Sequence, residues 1–133
     1  ITSAIKALKV LDINKISIFT PYTKTINNSV VNYFKKENII INSLTYLDIA
    51  SDLDIGKVDE NYLFEVLSKI DLEDSDALFI SCTALPALSI IDKLEKKIKK
   101  IVLSSNQVLI WDTLKEINYK KKIKGYGRLF MEL

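Results

Sequence analysis

The sequence contains no histidine and only one cysteine, Cys82, among 133 residues. A lone cysteine excludes an internal disulfide and fits a reducing cytoplasm, which is where we expect this protein to act. The shortage of both residue types argues against a zinc site, because zinc is held mainly by several cysteine and histidine side chains. Side-chain chemistry must therefore centre on the Cys82 thiol, on carboxylates, on lysines or on tyrosines.

Long apolar runs and a strong charge imbalance are also missing. No stretch approaches the ~20 apolar residues that cross a bilayer, so we expect no membrane partner. The net charge of +2 gives no strong attraction to nucleic acid. Lysine clusters around Lys97 and Lys121 fall near predicted helix ends, where they favour the helix dipole and keep the surface solvated.

Short apolar runs alternate with amphipathic segments along the whole chain, which predicts a single α/β domain over residues 1–133. We expect three layers: a mostly parallel four-stranded sheet in the flavodoxin-like order 2-1-3-4, with helices on both faces. The opening helix has no strand before it, so we also expect the chain to start part-way through a larger architecture. The predicted strands are Lys15–Thr20, Ile39–Leu44, Ala77–Ser81 and Lys100–Ser104, and the predicted helices are 3–11, 25–38, 59–70, 86–97 and 107–117.

Polar clusters directly follow three of the predicted strands: Thr20–Thr23, Ser81–Thr83 and Ser104–Asn106. In a parallel sheet these clusters lie along one edge. With the order 2-1-3-4, the first and third strands are neighbours, and their boundary is the topological switch point where α/β proteins usually bind ligands.

Two interpretations of Cys82 remain open at this stage. It can be a nucleophile or proton carrier, or it can be a small buried hydrophobe, which is what a free cysteine usually is. A helix predicted to begin at Pro86 would bring its amino terminus close to the thiol and favour the thiolate. Tyr22 is similarly either a partly buried aromatic or a donor to a substrate carboxylate, and Ser104–Asn106 either cap the next helix or bind a ligand.

Four segments, in chain order, resemble the aspartate/glutamate racemase superfamily. The most similar branch contains maleate cis-trans isomerases, arylmalonate decarboxylases and ectoine-utilisation proteins. The resemblance covers nearly the whole chain and implies the carboxyl-terminal half of a two-domain enzyme whose active site lies between the domains. The segments are Thr20–Tyr22, Phe79–Leu85, Ser104–Gln107 and Gly125–Phe130.

The resemblance also implies roles for individual residues. Cys82 matches the second of the two cysteines that racemases and isomerases of this group use, one from each half; decarboxylases keep only this second one. Tyr22 matches a substrate-contacting tyrosine, and the resemblance implies that Thr23, Ser51 and Asp52 also belong to the substrate-binding residues. Thr83 and Ala84 would supply backbone donors. Near Ser51 and Asp52 the isomerases carry a substrate-binding asparagine, which this sequence lacks.

The implied activity is a cofactor-independent, cysteine-dependent isomerisation or racemisation of a small (di)carboxylic acid, such as maleate or an amino-acid-like acid. Ser81-Cys82-Thr83, in place of a glycine-rich step, favours this over decarboxylation of a malonate-type acid, the first alternative. The second alternative is a non-catalytic domain that folds or dimerises without turnover. The family uses no metal or organic cofactor, and the implied partners are a small carboxylate and either a second copy or an amino-terminal half.

Overall fold

The computed structural model describes all 133 residues. Strands and helices alternate after an opening helix, as the sequence predicts. The helices are α1 (Thr2–Val10), α2 (Lys24–Lys36), α3 (Asp52–Ile55), α4 (Glu60–Leu67), α5 (Ile91–Ile98) and α6 (Ser105–Glu116), and 3-10 turns cover Leu88–Ile90 and Arg128–Glu132. The strands are β1 (Lys15–Thr20), β2 (Ile40–Tyr46), β3 (Ala77–Ile80) and β4 (Ile101–Ser104).

The four strands form one sheet in the order β2-β1-β3-β4, which confirms the predicted topology. All three pairings are parallel, with Ile16 beside Ala77 and Ala77 beside Ile101. The crossover between the neighbouring strands β1 and β3 therefore creates the predicted switch point at their carboxyl ends.

Alternate side chains along the strands enter two separate cores, one on each face of the sheet. Phe79 belongs to a cluster with residues of α1, α2 and α6, whereas Leu78 and Ile80 belong to a cluster with residues of α3, α4 and α5. This period-two pattern is what a sheet buried on both faces requires. The predicted three layers are therefore present. None of the helices is both long and apolar enough to cross a lipid bilayer.

The helix predicted to start at Pro86 begins later, so its expected boundary is wrong. The Ala87 N–H donates to the Leu85 carbonyl at 2.8 Å, which turns the chain tightly instead of starting a helix. Leu85 and Ala87 are both buried in the second core, and this packing determines the path. The regular helix α5 starts only at Ile91, after the 3-10 turn. Two smaller differences are a one-turn helix, α3, in the predicted irregular connection and a start of α6 at Ser105 instead of Gln107.

Candidate active site

A cavity of about 330 Å³ opens at the carboxyl ends of β1 and β3. Its polar wall contains Cys82 and Tyr22, the two residues that the sequence singled out at the switch point. No acidic or basic side chain lines it. The lining residues are Ile1, Ser3, Tyr22, Ile26, Val30, Phe79, Ser81, Cys82, Thr83, Ser105, Val108 and Leu109. A larger concavity of about 480 Å³ is lined by charged residues and by the segments that precede β1 and β4, and no cysteine or tyrosine lines it.

Cys82 has an unusual backbone conformation, with a φ of +125°. Non-glycine residues rarely adopt positive φ, and such strain, of order 1–3 kcal/mol, persists only where surrounding contacts enforce it. The residue is only 7% exposed, yet its side chain lines the cavity. The thiol is therefore held on the wall of a small cavity that is lined mostly by apolar residues.

Four hydrogen bonds hold the segment around Cys82. The Ser81 N–H donates to the Phe19 carbonyl at 2.8 Å, which extends the pairing of β3 with β1 by one residue. The Cys82 N–H donates to Ser105 Oγ at 3.0 Å, and Asn106 Nδ2 donates to the carbonyl oxygen of Thr83 at 3.0 Å. The fourth runs from the Ala84 N–H to Cys82 Sγ at 3.4 Å, so a backbone donor faces the sulfur.

Tyr22 lies beside Cys82 across the strand boundary. Burial raises the pKa of the Tyr22 phenol, and the neighbouring Cys82 side chain and the Asp52 charge raise this pKa further. A hydrogen bond with Ser81 lowers the pKa and offsets part of the increase. Its hydroxyl therefore keeps its proton at ordinary pH and can donate a hydrogen bond to an anion. Sequence reasoning missed Asn27, a fully buried side chain that holds this loop by donating from Nδ2 to the Tyr22 carbonyl at 3.1 Å.

Of the other predicted site residues, Thr83 and Ala84 lie close to the thiol, and three lie outside the cavity wall. Thr83 lines the cavity, and Ala84 contacts the sulfur through its N–H. Thr23 caps α2 by position and is not part of the cavity wall. Ser51 and Asp52 form the start of α3; neither lines the cavity, but the Asp52 charge acts on Tyr22.

Helix α5 starts at Ile91 and not at Pro86, so the prediction of a helix amino terminus directly after the thiol segment is wrong. The helix that meets the thiol segment is α6, through its first residues Ser105 and Asn106. Ser104 caps α6, as one of the two sequence interpretations held, in a reciprocal capping box with Gln107.

The chain matches the family model described as arylmalonate decarboxylase over residues 1–130. The protein belongs to the arylmalonate decarboxylase family. This confirms the predicted branch of the superfamily. The chain is 29% identical over 126 residues to the maleate isomerase of Geobacillus stearothermophilus, a match that covers 94% of this chain and 50% of that protein. It is 25% identical over 134 residues to the arylmalonate decarboxylase of Bordetella bronchiseptica, covering 98% of this chain and 56% of that enzyme.

Solved structures of maleate isomerases and of arylmalonate decarboxylase share the fold. A Cys-to-Ser variant of the Nocardia farcinica maleate cis-trans isomerase, which carries a covalently bound succinylcysteine intermediate, superimposes with a TM-score of 0.92 at 23% identity. That superposition covers 98% of this chain and 54% of the isomerase. The chain thus spans about half the length of the curated relatives that it matches.

Proposed function

We propose that this chain supplies the Cys82 half of the active site of a cofactor-independent isomerase or racemase that acts on a small (di)carboxylic acid. The observation that carries the proposal is the placement of the Cys82 thiol and the Tyr22 hydroxyl on one cavity wall at the β1–β3 switch point. The similarity to maleate isomerases favours an unsaturated dicarboxylate such as maleate.

The chemistry follows from the groups on the cavity wall. A cysteine thiolate, from Cys82 or from its counterpart in the other half of the cleft, adds to one alkene carbon of maleate, and the electron pair of the double bond moves towards the carboxylate on the other alkene carbon. The carbon–carbon bond that was double is now single and rotates. Expulsion of the thiolate then restores the double bond and gives fumarate. No atoms are gained or lost. In the racemase variant, the thiol instead gives or takes a proton at the carbon beside the carboxylate.

Neutral donors would hold the substrate, because no cationic side chain lines the cavity. We assign this role to the hydroxyls of Tyr22 and Thr83 and to backbone N–H groups near the thiol, including that of Ala84. Preorganised donors of this kind stabilise negative charge that develops on an enolate. We assign Thr23, Ser51 and Asp52 at most a contact at the edge of the substrate, because none of them lines the cavity.

Proton NMR of maleate incubated with the chain tests this proposal, together with the mass of the intact protein. For the chain alone, the expected result is a mass increase of one maleic acid on Cys82, and fumarate formation is expected only where a second half or a second copy completes the cleft. Cys82→Ser is the matched control and should show neither. Adduct or turnover at the wild-type level in Cys82→Ser would remove the thiol from the mechanism.

Decarboxylation of a malonate-type acid is the second candidate, favoured by the family match over residues 1–130. It needs only one cysteine, which would return a proton to the carbon that loses carbon dioxide. Carbon dioxide release from phenylmalonate, abolished by Cys82→Ser, distinguishes it from isomerisation.

A further half-domain or a second copy of this chain would complete the cleft. Support comes from the half-length match to the relatives and from apolar side chains at the cavity mouth: Ile26 is 49% exposed and Leu109 is 54% exposed. Without that second half, the chain would fold or dimerise without turnover. Light scattering distinguishes monomer from dimer, and a maleate assay on the chain alone would refute the half-site proposal if it showed full activity.

A further inference from the structure

The first two side chains of α6, Ser105 and Asn106, form hydrogen bonds with the segment that contains Cys82. Ser105 Oγ accepts the Cys82 N–H, and Asn106 Nδ2 donates to the Thr83 carbonyl, both at 3.0 Å. Each contact joins residues that are 23 positions apart in the chain. Together they restrain a backbone N–H and a carbonyl in adjacent residues, so the segment has little freedom to rotate.

These two contacts are separate from the capping of α6. The Gln107 N–H donates to Ser104 Oγ at 3.3 Å, and the Ser104 N–H donates to Gln107 Oε1 at 3.4 Å. This reciprocal pair forms the capping box and involves neither Ser105 nor Asn106. The side chains of Ser105 and Asn106 are therefore directed to Cys82 and Thr83 without being required for the cap.

We propose that Ser105 and Asn106 are positioning residues that hold Cys82 in its strained conformation and thereby aim the thiol into the cavity. The φ of +125° needs external contacts, because an ordinary extended backbone is lower in energy. Loss of the acceptor on Ser105 lets the peptide relax and turns the sulfur away from the cavity and from the Ala84 N–H. The proposal rests on the proposed function only in taking Cys82 as the reacting group.

Alkylation of the chain with iodoacetamide tests this positioning without any substrate. Cys82 is the only cysteine, so the mass of the intact protein follows one reaction. Ser105→Ala is expected to slow alkylation roughly fivefold, the factor that one net hydrogen bond represents. Ser105→Thr keeps the hydroxyl and should restore the wild-type rate to within about twofold. Asn106→Ala should slow the reaction in the same direction.

Ser104→Ala is the matched control, because it weakens the cap of the same helix without touching Cys82. Partial unfolding would expose the buried thiol and speed its alkylation. A slower rate in a variant therefore cannot result from partial unfolding. The proposal is overturned if Ser105→Ala reacts at the wild-type rate or faster, or if Ser104→Ala slows the reaction equally. A chain that forms no adduct with maleate would count against the proposed function and would leave the alkylation result unaffected.

Discussion

Replacing Gly127 with Ala is expected to destabilise the fold strongly. With a φ of +85° and a ψ of 176°, Gly127 occupies a region that is essentially restricted to glycine. A Cβ there would meet Ile91 Cγ2 at 2.5 Å and Gln107 Nε2 at 3.0 Å. Gln107 cannot move away freely, because its Nε2 donates to the Tyr126 carbonyl at 2.6 Å.

The size of the effect follows from adding two costs. The backbone conformation alone costs of order 1–3 kcal/mol for a residue with a Cβ. Crowding in a packed site typically adds about 1–3 kcal/mol. A lower entropy of the unfolded chain offsets about 0.4–1 kcal/mol of this total. The net loss in the free energy of unfolding is therefore roughly 1–6 kcal/mol, which is comparable with much of the stability of a small domain.

Urea unfolding followed by tryptophan fluorescence measures this loss, because Trp111 is the only tryptophan and is 2% exposed. Gly125→Ala is the matched control: Gly125 has a φ of +90°, but its added Cβ would meet nothing within 4 Å. Gly125→Ala should therefore show the backbone cost without the crowding cost. Equal losses of stability in the two variants would refute the argument that contacts with Ile91 and Gln107 add to the cost of a side chain at Gly127.

Three further substitutions test the electrostatics of the fold and the site. Burial raises the pKa of Glu95 above its ordinary value of 4.5, so the folded state binds this proton more tightly than the unfolded chain does. Stability therefore falls as the pH rises above 4.5 through the raised pKa. Glu95→Gln should flatten this decrease in the urea midpoint, and an unchanged profile would contradict the argument. Tyr22→Phe removes the hydroxyl beside the thiol and should weaken maleate binding roughly tenfold in an NMR titration, the value of one hydrogen bond to a charged group; equal affinity would exclude Tyr22 from anion binding. Asp52→Asn removes a negative charge near Tyr22 and should tighten maleate binding about two- to fivefold at low salt, with little difference at high salt; a salt-independent effect would point to a cause other than charge.

The sheet could be predicted from the sequence because its signals are local. Short apolar runs such as Ala77–Ile80 are buried on both faces, and amphipathic segments between them require parallel crossovers. The strand order then places Cys82 beside Tyr22 without further information. The family motifs point to the same pair, and the match over residues 1–130 confirms the family.

The geometry of the site could not be predicted, because it depends on contacts between distant residues. No local sequence pattern indicates the positive φ of Cys82, because cysteine, unlike glycine, rarely adopts such a conformation. The roles of Ser105 and Asn27 depend on how α6 and α2 pack against the strand ends. The delayed start of α5 has the same origin: Pro86 is compatible with a first helical turn, but burial of Leu85 overrides that preference.

The strain at Cys82 helps to decide between the two interpretations that the sequence left open. A cysteine that only fills the core gains nothing from a positive φ, and glycine would occupy that backbone without the cost of about 1–3 kcal/mol. Here the strained residue also lines a cavity, receives a backbone N–H on its sulfur and is held by a side chain from α6. A buried filler requires none of these contacts, whereas a reactive thiol requires all three: access, a donor for its charge and a fixed direction. The combination therefore favours the reactive thiol.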